Sequence, residues 1–256
     1  MKLIAIIIIV LWSFADIYSK HPIDDFEIMA EVSPPYSYLN SDGKPDGFST
    51  EVLMMILKDM GSEMKASDIN FSYPWVRSFH IARTERKKML FTVAVTPLRS
   101  RLFRWAGPVI TTNVTIFALR DSGVKITGVS DFIKYKIGVI RDDIAETLLL
   151  NTPDGKKLWL YDAASLSALI TQVEKKRLDM LAYEQISIEW LLSTQDKAKL
   201  FTPVYTLQTI TVSYAFSADT SDGVINDFNV AWRRVQKTAE YENLVKKYKF
   251  SGLNIR

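Results

Sequence analysis

Apolar positions along the chain alternate between two spacings. Short apolar runs bounded by turn residues predict strands over residues 26–32, 89–95, 137–140, 158–161 and 178–183. Between them apolar residues recur at helical spacing. Val52, Met55, Ile56 and Met60 mark one helix, which Ser49 or Thr50 can cap and Gly61 ends. A second helix starts near Pro74 with Val76, Phe79 and Ala82 on one face, and others cover 144–150 and 166–173. Residues 33–48, with Pro34-Pro35, Asp42-Gly43 and Gly47, read as a loop. Residues 224–248 are helical, and Val224, Phe228, Ala231, Trp232 and Val235 form an apolar stripe that makes Trp232 a core anchor. This rhythm predicts an α/β fold with mostly parallel sheets, whose ligand sites lie at the carboxyl ends of strands.

The first twenty residues follow a different pattern. Lys2 precedes an apolar run from Leu3 to Trp12, and small and polar residues then lead to Lys20. A cationic start, a short apolar stretch and a small-residue exit predict a secretory signal peptide over residues 1–19, cleaved after Ala15 or Ser19. The run is well short of the ~20 apolar residues that a spanning helix needs. The expected product is a soluble, exported protein.

Composition removes several classes of function. The chain has 256 residues, and its 32 Lys and Arg against 29 Asp and Glu leave a charge of +3, too small to imply nucleic acid as a partner. With no Cys there are no disulfides, thiolate metal sites or Cys nucleophile, and with only His21 and His80 a multi-histidine metal centre is nearly excluded. No GxGxxG, P-loop, GxSxG or HExxH pattern occurs. No catalytic residue, metal or cofactor is assigned.

Four stretches carry a resemblance. Ser33-Pro-Pro-Tyr-Ser-Tyr is followed by Asp42-Gly-Lys-Pro-Asp-Gly-Phe48. Thr96-Pro-Leu-Arg99 leads to Phe103-Arg-Trp-Ala-Gly-Pro108. Ile137-Gly-Val-Ile comes next, and then Arg177-Leu-Asp179 with a carboxylate at Glu184. In this order and spacing they resemble the extracellular solute-binding proteins of family 3, the amino-acid-binding components of bacterial ABC importers. The resemblance implies a two-lobed periplasmic-binding-protein architecture of type II, two α/β lobes joined by two crossing strands. Lobe one would comprise residues 24–112 and 210–256, and lobe two residues 114–208. The β-rich segments 111–117 and 209–216 would be the crossovers. It also implies a periplasmic monomer, a small-molecule ligand such as an amino acid, and an ABC permease in the inner membrane as partner.

The same resemblance places a site. Arg99 stands where the family pairs an arginine with the ligand's α-carboxylate, and a guanidinium offers two parallel donors while keeping its charge when desolvated. Thr96 opens that Thr-x-x-Arg frame. Glu184 stands where the family has an aspartate for the α-amino group, and it could equally be a carboxylate at a helix start. Tyr36 and Trp75 are candidate aromatic walls, each contributing roughly 0.5–2 kcal/mol beyond area burial.

Three positions depart from the family pattern. Ala94 replaces a Ser or Thr, and Lys87 stands near where an aspartate is usual. Asp142-Asp143 replaces a Gly-Ser/Thr turn that meets the carboxylate. Asp143 can serve as an N-cap worth ~1 kcal/mol. A second carboxylate about 4 Å away would repel a ligand carboxylate by ~4 kcal/mol at an effective dielectric near 20. Either Arg141 offsets that repulsion or the ligand presents another group there.

The expected function is capture of a small polar, amino-acid-like solute for an ABC importer, with Arg99, Glu184, Tyr36, Trp75, Thr96, Ala94 and Asp143 as the ligand-binding set. The alternatives are an exported enzyme resembling cyclohexadienyl dehydratases, in which Glu184 could act as a general acid, and a periplasmic sensor module.

Overall fold

Two long segments rich in β-branched and aromatic residues, built to lie in a pleated sheet, organise the molecule. The computed structural model describes residues 20–248; the leader expected over 1–19 lies outside the described residues. The chain begins with β1 (Glu27–Met29), a small hairpin of β2 (Tyr38–Leu39) and β3 (Pro45–Asp46), α1 (Phe48–Asp59) and α2 (Trp75–Thr84). β4 (Lys88–Ala94) and the sixteen-residue β5 (Arg104–Leu119) follow. Then come β6 (Lys136–Ile140), α3 (Ile144–Leu150), β7 (Trp159–Ala163), α4 (Leu166–Glu174), β8 (Met180–Glu184) and α5 (Gln185–Thr194). The sixteen-residue β9 (Phe201–Phe216) returns, and α6 (Asp222–Val235) and α7 (Ala239–Tyr248) close the described chain.

One seven-stranded sheet runs through the molecule in the order β1-β4-β9-β5-β8-β6-β7. Its centre is the antiparallel pair β5–β9, in register from Arg104 against Phe216 to Leu119 against Phe201, with shifts near Ala106, Val114 and Ile116. The expectation of mostly parallel sheets is corrected here to a mixed sheet. β5 and β9 pass through the sheet in opposite directions, so β4–β9, β5–β9 and β5–β8 are antiparallel. Only β1–β4, β6–β7 and β6–β8, which helical crossovers connect, are parallel.

Apolar burial divides along this sheet. On one side α1, α6 and α7 close over a core that includes Phe48, Ile56, Tyr214, Phe228 and Trp232. The indole N–H of buried Trp232 donates to the Pro108 carbonyl at 2.8 Å, so its polar atom is satisfied within the core. On the other side Val114, Phe132, Ile137 and Met180 pack under α3, while Leu169, Leu181 and Ile188 pack around α4 and α5.

Several local expectations change. Neither Ser49 nor Thr50 caps α1; Gly47 is the N-cap, and both hydroxyl residues are buried in the first turn. The free N–H groups of that turn donate to the carbonyls of Pro35 and Tyr36 instead. That close approach requires glycine, because a Cβ on Gly47, at φ 114°, would lie 2.5 Å from the Tyr36 carbonyl oxygen. In α1 the buried stripe is Val52, Leu53, Ile56 and Leu57, with Met55 and Met60 only half-buried. Val76 is 60% exposed and not on the packed face of α2. The ladder of β1 is shorter than the apolar run 26–32, and the helical stretch 224–248 breaks between α6 and α7.

Candidate functional site

The carboxyl ends of β1, β4, β6 and β8 converge on a cavity of about 350 Å³. Its wall takes Glu31 and Ser33 after β1, Trp75 at the start of α2, Thr92 and Ala94 on β4, and Arg99. It also takes Arg141 and Asp143 before α3, and Tyr183 and Glu184 at the end of β8. This is where strand ends and helix starts leave backbone and side chains free to meet a ligand. Six of the seven residues expected from the sequence line it: Arg99, Glu184, Tyr36, Trp75, Ala94 and Asp143. Thr96 does not; its hydroxyl accepts the Arg99 N–H at 3.2 Å and its carbonyl the Ser100 N–H at 2.8 Å, which shapes the turn that presents Arg99.

Arg99 is half-buried, with its guanidinium carbon 5.4 Å from the Trp75 ring centre and 5.3 Å from that of Phe79. Stacking against two rings holds the plane and satisfies its faces without using its N–H groups. Burial pulls its pKa below the ordinary arginine value, and the charge of Asp143 opposes that shift. The guanidinium donates no hydrogen bond to any described residue.

Asp143 is the N-cap of α3, accepting the Ala145 N–H at 2.9 Å. Burial raises its pKa, while the Ala145 and Ile144 amides and Arg99 draw it back down. The Asp142 side chain is exposed, and its backbone N–H donates to the Glu146 carboxylate at 2.7 Å. Arg141 donates twice to one oxygen of Asp162, at 2.6 and 2.9 Å, and the charges of Asp162 and then Asp142 hold its pKa above the ordinary value.

Glu184 is 9% exposed and caps α5, accepting the amides of Ile186 at 2.9 Å and Ser187 at 2.8 Å. The Thr112 hydroxyl donates to it as well. Burial raises its pKa, and these donors oppose the shift. Tyr36 lies against Glu184, and burial and that carboxylate hold its phenol well above the ordinary value. The starts of α3 and α5 at the cavity are thus closed by the chain's own carboxylates, while the start of α2 carries no side-chain cap.

Two cavity residues carry no sequence signature. Burial and the charge of Asp143 push Glu31 up to about 7. Its carboxylate accepts no hydrogen bond from a described residue. Tyr183 feels Asp143, Glu31 and Glu184 together, and with burial they hold its phenol well above its usual value.

Comparison with solved structures finds the same fold. A histidine kinase sensor domain with similarity to periplasmic binding proteins superposes with a TM-score of 0.75 at 20% identity, covering 90% of this chain and 97% of its own. An ancestral arginine-binding protein bound to arginine gives 0.74 at 14%, covering 88% and 98%. The GluR0 ligand-binding core from Nostoc punctiforme, in complex with L-glutamate, gives 0.73 at 14%, covering 87% and 98%. No curated protein matches the sequence. Residues 28–251 match one protein-family model, and the chain belongs to the bacterial extracellular solute-binding proteins, family 3.

Proposed function

We propose that the chain captures a small zwitterionic, amino-acid-like solute between two lobes, residues 24–112 with 210–256 and residues 114–208, and delivers it to an ABC permease after export through the leader at 1–19. The observation that carries this reading is Arg99: a half-buried guanidinium, stacked on Trp75 and Phe79, lining the cavity with its donors unused. A desolvated cation left without acceptors is costly unless a ligand supplies them, and a carboxylate matches its two parallel donors. Tyr36 and Trp75 wall the ligand. Glu184 and Asp143 contribute negative potential on the side that meets an ammonium group.

A second reading is a sensor module, favoured by the likeness to a histidine kinase sensor domain over 97% of that chain. Both readings use the same capture step, in which a ligand stabilises one arrangement of the lobes over another. The test is mass spectrometry of small molecules released on denaturing protein purified from its native compartment, run beside Arg99→Ala. The expected result is a carboxylate-bearing zwitterion that the variant loses. A ligand retained by the variant, or one lacking a carboxylate, overturns the assignment of Arg99.

A further inference from the structure

Away from the cavity, a surplus of positive charge gathers where β6, β7 and β8 begin. These strands run parallel, so their starts share one pole, opposite the carboxyl ends that meet the cavity. Lys136 on β6 is the register partner of Trp159 on β7. Its carbonyl accepts, at 3.0 Å, the N–H of Asp179, which leads into β8. The residues at these three entries, 129–136, 154–159 and 174–179, hold seven Lys and Arg against four Asp and Glu. That surplus equals the charge of +3 on the whole chain, so the remainder is neutral on balance.

The four carboxylates at this pole are all committed. Asp131 pairs with Lys134 at 2.6 Å, Asp154 with Lys157 at 2.8 Å and Glu174 with Lys197 at 2.7 Å. Asp179 accepts the backbone N–H of Lys136 at 2.7 Å. Lys136, Lys156, Lys175, Lys176 and Arg177 are exposed, and among the described residues they make no ion pair. Trp159 stands beside them on the edge strand of the sheet and is 57% exposed, although burying so large a ring is favourable. Tyr161, two residues on and so on the same face of the strand, is 43% exposed. Lysines on an edge can serve only to keep another strand from pairing there, and Lys156 and Lys157 fit that role. Lys175, Lys176 and Arg177 do not, since they come from the turn before β8, which lies inside the sheet.

Cations spread over three turns match a plane of negative charge rather than a single anion. Trp and Tyr rings lodge at the headgroup level of a bilayer, with an apolar body and a polar tip. We propose that the starts of β6, β7 and β8 form a docking surface for an anionic phospholipid bilayer. Trp159 enters the headgroup layer, and the unpaired cations face its phosphates. The cavity lies at the other ends of the same strands, so docking leaves it uncovered.

The test is co-sedimentation of the exported protein, purified from its native compartment, with two kinds of vesicle over a series of salt concentrations. One is phosphatidylcholine alone, and the other is phosphatidylcholine mixed equally with phosphatidylglycerol. Two variants run beside the parent: Lys156→Gln, Lys175→Gln and Lys176→Gln combined, and Trp159→Ala, all at exposed positions outside the cavity. The expected result is binding to the anionic vesicles that weakens as salt rises. The triple variant should bind at least about tenfold more weakly at low salt and respond less to salt. Trp159→Ala should bind more weakly with the salt response of the parent. Equal binding to both vesicles, or either variant binding like the parent, overturns the proposal. A leader remaining on the chain would be shared by the variants, so it cannot imitate the expected result. Retention on immobilised polyglutamate without binding to either vesicle also overturns the proposal, and assigns the pole to an acidic protein.

Discussion

A carboxyl group held near pKa 7 in the folded chain and at 4.5 when exposed costs stability at neutral pH, and Glu31 is such a group. Below pH 4.5 both states hold the proton and nothing is lost. As pH rises from there to about 7, the unfolded chain releases its proton first, so the fold loses stability until Glu31 also ionises. The full loss is about 3 kcal/mol. Glu31→Gln removes it, so the ligand-free variant should be more stable than the parent at pH 8, equal to it near pH 4, and flatter between. Urea unfolding at the two pH values checks this; equal stability at pH 8 would contradict the buried environment. Glu31 also shows what the sequence hides at this scale. Arg99 is legible because a Thr-x-x-Arg frame surrounds it. Glu31 has no frame, and its importance comes from Asp143, which the fold brings beside it from the far side of the sheet. Tyr183 is hidden for the same reason.

At the scale of elements, the start of α5 separates a structural carboxylate from a ligand-binding one. Glu184 accepts two helix amides and the Thr112 hydroxyl, which ties α5 to β5. Glu184→Ala should lower the stability of the ligand-free protein by about 2 kcal/mol, in the range of a lost cap and a stranded buried donor. A side chain serving the ligand alone would leave that stability unchanged, so chemical denaturation without ligand distinguishes the two. Most elements were legible from spacing: the bounds expected for α3 coincide with those found, and α4, β6 and β8 differ by one or two residues. The failures share a cause. Ser49 and Thr50 have good capping chemistry, but carbonyls of Pro35 and Tyr36 hold the amides of Phe48, Ser49 and Thr50, so the helix starts earlier and both residues fall inside its first turn. Val76 fits the helical stripe of α2, yet it sits at the cavity wall, where no core covers it.

For the whole molecule, the mixed sheet is the feature least visible in the sequence, since alternation of strands and helices does not reveal strand direction. Among the described residues, β5 and β9, sixteen residues each, are the longest strands. The β5–β9 ladder shifts register between Val114 and Thr115 and again between Ile116 and Phe117. Such irregularities bend a strand and interrupt its pairing, and the one at Val114 adjoins the lobe boundary proposed above. A ligand touching Arg99 on one half and the β6 and β8 ends on the other should draw the halves together. Small-angle scattering should then show a smaller radius of gyration at saturating ligand, and at a hundredfold excess over Kd the fold should gain about 2.7 kcal/mol against unfolding. An unchanged radius would place recognition in a preformed cavity without closure.

The carboxylates that close the starts of α3 and α5 have an effect beyond selecting a ligand. Helix starts are where stray sulfate, phosphate and chloride lodge in many proteins. At α3 and α5 those berths are taken from within by Asp143 and Glu184. Arg99 faces the cavity with its donors unused, and an inorganic anion can match its charge but cannot also answer the acids beside it. On the proposed reading, capture of the solute should then change little with the sulfate or phosphate concentration of the medium.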